Sequence, residues 1–127
     1  KNPTYVDVYM KAAVRGDDQD QWALSMFLRH AHHDYDLQAA IDAPNFHTDH
    51  LPSSFYPRTF QPGEVKAEGR FADTTIAAMR DRGHRMTVVG NWASGRMTAV
   101  GRARGEHGWF LKGAAHPRFQ EAYAVGR

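Results

Sequence analysis

From Thr4 to Val14 the chain alternates, with Tyr5, Asp7 and Tyr9 on one side and Val6, Val8 and Met10 on the other. A period of two predicts a strand. The pattern then lengthens. Trp22, Met26 and Phe27, with Leu24, Leu28 and Ala31 alongside, form a wide apolar arc that predicts a largely buried helix. Asp17 or Asp18 is positioned to cap it, with Asp20 or Gln21 as reciprocal partner. Asp36 is the expected cap of a shorter helix through Leu37, Ala40 and Ile41, which must stop before Pro44.

Residues 46–63 are rich in Pro, Ser and aromatics and predict an irregular excursion with one or two short extended pieces. A strand is expected over 65–68. Asp73 or Thr74 then opens a third helix with Ile76, Ala77 and Met79 inward, and Gly83 closes it. Residues 86–89, 95–103 and 107–114 read as three further strands. No repeat, linker or low-complexity segment interrupts the chain, so residues 1–127 read as one domain. Strands and helices partly segregated along the chain predict an α+β fold.

With 42% hydrophobic residues, including three Trp, seven Phe and five Tyr, the 127-residue chain can build a core. Sixteen basic residues against 14 acidic give a net charge of +2, and the two signs are interleaved. That mixed surface argues against nucleic acid, whose binders concentrate basic charge in a patch. No cysteine is present, which excludes disulfides, thiolate zinc sites and a Cys nucleophile. No apolar run reaches the length of a membrane span, so a soluble protein without membrane partners is expected, its compartment unspecified.

Several segments share an order with one enzyme family. They are Asp17-Asp18-Gln19-Asp20-Gln21-Trp22, Leu37 through His47, Glu68-Gly69-Arg70, Arg82-Gly83-His84-Arg85-Met86-Thr87-Val88-Val89, and Ala114-Ala115-His116-Pro117-Arg118-Phe119. Together, from about Gly16 onward, they resemble the C-terminal part of the small subunit of gamma-glutamyltransferase-like N-terminal-nucleophile hydrolases. The resemblance implies an αββα sandwich, a Thr nucleophile, a γ-glutamyl-enzyme intermediate, transfer of the acyl group to water or an amine, and no cofactor.

Such an enzyme activates a terminal hydroxyl with its own α-amine. Lys1 has no hydroxyl, and the nitrogen of Thr4 lies in a peptide bond, so this chain is expected to supply no nucleophile and to need missing N-terminal or large-subunit segments. The family's strand-to-helix turn resembles Pro-Gly-Gly-Asp-x-Gln, whose glycine amides face the oxyanion. The matching residues are Val14-Arg15-Gly16-Asp17-Asp18-Gln19. Gly16 keeps the second glycine, a possible oxyanion amide, while Arg15 replaces the first. The same residues also fit a plain turn with an Asp cap. Ser53-Ser54 follows this turn, unlike the family's substrate-binding serine pair, which precedes it.

His30, His33, His47 and His50 offer a different chemistry. Imidazoles spaced i, i+3 on one helix, with facing ones from a later segment, suit zinc or another transition metal. The alternative is a helix C-terminus and wet surface decorated with His. Glu68 and Arg70 are expected to pair structurally, and Arg118 to tie the tail to a carbonyl or carboxylate. Trp22, Trp92 and Trp109 are expected as core or interface anchors. Exposed strand edges predict pairing with the missing segments or with a second copy.

Overall fold

The computed structural model describes residues 16–118 and 123–125 together with the backbone of 8–12. Its order is β1 (Val8–Ala12), α1 (Asp18–His32), α2 (Leu37–Asp42), β2 (Phe46–Thr48), β3 (Glu64–Glu68), α3 (Asp73–Asp81), β4 (Arg85–Val89), β5 (Met97–Gly105) and β6 (Gly108–Ala115). The fold is α+β, as expected. The reading of 4–14 as a strand holds over Val8–Ala12, and the rest of that span lies outside the described residues.

β5 and β6 form an antiparallel hairpin, and β1 adds antiparallel to β5, giving a sheet of order β1-β5-β6. The second sheet, β2-β3-β4, is mixed. β2 runs antiparallel to β3, whereas β3 and β4 are parallel and joined through α3. A parallel pair requires such a crossover. The core is one cluster in which Trp22 and Met26 of α1 and Leu37, Ala40 and Ile41 of α2 pack on Met97, Ala99 and Ala114 of the first sheet.

Two expectations about α1 are corrected. Leu24, Phe27 and Leu28 are exposed rather than buried. At 3.6 residues per turn, Leu24, Leu28 and Ala31 fall on the side opposite Trp22 and Met26, so the wide arc was two faces and one of them points outward. Asp17 does occupy the N-cap position, but its backbone is already helical (φ −69°, ψ −11°) and its side chain makes no cap bond. Capping needs an extended backbone. Asp36 has one (φ −64°, ψ 165°) and accepts from the Ala39 amide at 2.7 Å. In α3, Ile76 is buried and Met79 half-buried, but Ala77 faces solvent. Gly83 follows that helix at φ +92°, where a side chain would be strained.

A polar knot anchors the C-terminal end of α2. Arg29 donates to the carbonyls of Ala40 and Pro44, Arg118 to those of Ile41 and Ala43, and Arg70 to that of Asp42. These are the orphan carbonyls of a helix end, and cations are favoured there. One fully buried carboxylate, Glu68, balances the guanidiniums. It accepts from Arg118 at 3.2 Å and Arg70 at 2.6 Å, and from the Ser94 and Asn45 amides. The expected Glu68–Arg70 pair and Arg118 tether are thus halves of one network. Arg70 also lies 3.4 Å from the centroid of the Trp92 ring. Trp22 is buried, while Trp92 and Trp109 remain 38% and 55% exposed, which makes Trp22 the core anchor of the three.

Candidate active-site turn and its cavity

Gly16 and Asp17 form the turn that leads into α1. Gly16 has φ +36°, and a Cβ placed on it would lie 2.5 Å from Cε2 of Phe55. Two constraints therefore meet at one residue: a left-handed backbone and an aromatic ring lying against it. Arg15 lies outside the described residues.

The ring belongs to the excursion after β2, which is more ordered than its composition suggests. Ser53 N–H donates to the Thr59 carbonyl, Arg58 N–H to that of Phe55, and Gln61 N–H to that of Asp49. The loop is also pinned to α1. Asp17 accepts from the Ser54 amide at 2.8 Å, and the Gln21 side chain both donates to the Thr48 carbonyl and accepts from the Thr48 amide. The Ser54 hydroxyl and amide, with help from Ser53, hold the Asp17 carboxyl below its ordinary value.

Between turn and loop lies a cavity of about 910 Å³. Its walls are the Gly16–Asp18 turn, Thr48 and Asp49 at the end of β2, Lys66 of β3, and the loop residues Leu51, Pro52, Phe55 and Phe60. Lys66 donates to Asp49, and this bond raises its ammonium above the ordinary lysine value. His47 Nε2 lies 3.8 Å from Asp18 Oδ2.

The four histidines of the sequence reading do not converge into one ligand group among the described residues. His30 Nδ1 donates to the Tyr35 carbonyl, closing the end of α1, and His33 is the exposed C-cap residue. His50 Nδ1 accepts from the Gly63 amide. His47 alone joins a cluster with ligand atoms in reach, and its companions are Asp18 and Asp49, all within 4.8 Å. The reason is the length of α1. His30 and His33 sit at one end of α1, whereas His47 on β2 faces the helix's opposite, N-terminal end. What the sequence did not reveal is Phe55 on Gly16 and Lys66 on Asp49. Their only sequence signals were a density of aromatics in 46–63 and a Lys set between Glu64 and Glu68.

A family model described as Gamma-glutamyltranspeptidase matches residues 13–126. The chain belongs to this family. The oxamate amidohydrolase proenzyme of Klebsiella pneumoniae is 29% identical over 119 residues, which is 92% of this chain and 21% of that protein. The chain thus spans about a fifth of the curated relative it matches. A solved structure called LmbA2991HD is 44% identical with a TM-score of 0.84, covering 94% of this chain and 21% of that one. Gamma-glutamyltranspeptidase from Helicobacter pylori shares the fold at 16% identity, with a TM-score of 0.68 and coverage of 87% and 53%. These matches agree with the family match in fold. Among its described residues no helix is long and apolar enough to cross a membrane.

Proposed function

We propose that residues 1–127 are one domain of an amide-cleaving acyl transferase and supply the oxyanion side of its active site. The observation that carries this reading is Gly16, a left-handed glycine at the head of α1 that opens onto the cavity. Amides at a helix N-terminus favour negative charge and suit a developing oxyanion. The nucleophile is a Thr hydroxyl on a segment outside this chain. Its oxygen adds to the amide carbonyl as the Thr α-amine takes the proton. The C–N bond then breaks, the amine leaves with that proton, and water or a second amine releases the acyl group from the ester. The family's acyl donors are γ-glutamyl amides, and no cofactor takes part. The partners are the missing segments or a second copy of the chain, rather than nucleic acid or a membrane.

N-terminal and intact-mass analysis of the native gene product, with hydrolysis of chromogenic amides, tests this. A Thr-initiated chain with turnover is the expected result; a single chain without a Thr terminus and without turnover would overturn it. Arg15, standing where the family has glycine, is proposed to impair the turn. Arg15→Gly should raise kcat about tenfold, a part of the ~100-fold that one oxyanion donor carries. An unchanged kcat would sink the impairment.

One observation favours a second reading, a non-catalytic module that binds metal: the convergence of Asp18, His47 and Asp49. On that reading zinc or manganese displaces Lys66 from Asp49, and calorimetry detects one site that His47→Ala removes. The absence of binding at millimolar metal would discard it.

A further inference from the structure

The cavity at Gly16 has walls of two kinds, and their contrast bears on what the acyl group is. Its charged wall carries Asp17, Asp18 and Asp49 against a single cation among the described lining residues, Lys66. That ammonium is already engaged by Asp49. Asp17 is held anionic by Ser54 and Ser53. A substrate carrying its own carboxylate would meet like charge here, with no unengaged lysine or arginine among the described lining residues.

The cavity also has an apolar part. Leu51, Phe55 and Phe60 line the cavity and remain 75%, 63% and 50% exposed, and Pro52 lies beside them. Three main-chain hydrogen bonds and the Asp17–Ser54 anchor hold the loop that carries them, so the surface is set before a ligand arrives. The Phe55 ring lies against Gly16 itself. If the Gly16 amide holds the oxyanion, the group attached to that carbonyl must leave along the ring.

We propose that the acyl group handled at this turn has a neutral, apolar body, aryl or branched aliphatic, seated against Phe55, Phe60 and Leu51, rather than a zwitterionic γ-glutamyl body. The proposal rests on the amide-cleaving reading above and names its substrate class. Phe55 is the specificity-determining residue.

The test uses the native gene product that contains this chain, with phenylacetyl, γ-glutamyl and oxamoyl anilides. The phenylacetyl anilide should show a kcat/KM at least tenfold above the γ-glutamyl anilide. Phe55→Ala should abolish that advantage, by about tenfold or more as for a lost apolar pocket contact, and cost the small oxamoyl anilide several-fold less than the phenylacetyl anilide. A preference for the γ-glutamyl anilide, or an equal loss on all three, would overturn the proposal. If none of the anilides is cleaved, the amide-cleaving reading fails and the pocket is judged by binding. Neutral phenylacetamide, titrated into the same protein and followed by chemical-shift changes at the Gly16 turn, should bind the wild type at least tenfold more tightly than Phe55→Ala. Equal binding, or none, overturns the pocket.

Discussion

Glu68→Gln should cost about 3–5 kcal/mol of unfolding free energy, because it strips a buried ion network of its one carboxylate. Arg118 is fully buried beside it, Arg70 is largely buried, and Arg29 reaches the same run of carbonyls. After the substitution, these guanidiniums face one another with backbone oxygens, the Trp92 ring and a neutral amide oxygen as partners, and have lost the anion that balanced them. Arg118→Met should cost less, because Glu68 keeps Arg70 and the Ser94 and Asn45 amides. The double variant should be more stable than the sum of the two losses predicts, since neighbours in one network are not additive. Urea unfolding at constant m-value measures all three. A loss below about 1 kcal/mol for Glu68→Gln would show that the network is solvated.

The same network sets an acid dependence. Burial pushes the Glu68 carboxyl upward, but the Ser94 amide and the Arg118 and Arg70 guanidiniums outweigh it, and the net shift is downward. A carboxyl depressed in the folded state stabilises the fold above its unfolded value of about 4.3. That stabilisation is lost as pH falls through the lower, folded value. Wild type should therefore lose stability below about pH 4, while Glu68→Gln lacks this component. Parallel pH profiles of the two proteins would refute the assignment.

Gly95→Ala is the second large effect. Gly95 has φ +81°, and a Cβ there would collide with the Asn45 side-chain nitrogen; Asn45 is itself fully buried. The left-handed backbone costs about 1–3 kcal/mol for a non-glycine residue. Forcing a methyl into a packed site costs about 1–3 kcal/mol more. Together these approach the whole stability of a small domain, so Gly95→Ala should yield little folded protein at 37 °C. Neither end of the Asn45 amide has a hydrogen-bond partner among the described residues. Trimming it should therefore relieve the steric part alone, and thermal melts of Gly95→Ala with Asn45→Ala should recover some of the loss. No recovery would place the whole cost in the backbone.

Much of the fold was legible because its causes are local. Asp36 caps α2 through a carboxylate three residues from the amide it accepts, and Gly83 ends α3 by its own backbone freedom. The strands read at 65–68, 86–89, 95–103 and 107–114 met β3, β4, β5 and β6 within two residues, and the co-linear motifs pointed to the family. The candidate turn was also readable, since Gly16 and Asp17 adjoin the helix they introduce.

What the tertiary structure decided concerns residues far apart in the chain. Periodicity gave α1 a wide apolar arc, but only packing into the core shared with α2 and the first sheet chose the Trp22–Met26 face and left Leu24 outside. The parallel register of β3 and β4 depends on how α3 crosses between them. Arg118 meets Glu68 across 50 residues, and no local signal marks a buried charge as paired. Phe55 lies against Gly16, and Lys66 against Asp49, for the same reason. Short-range propensity names the elements, whereas which face is buried and which charges meet is set by burial and desolvation among elements that become neighbours only on folding.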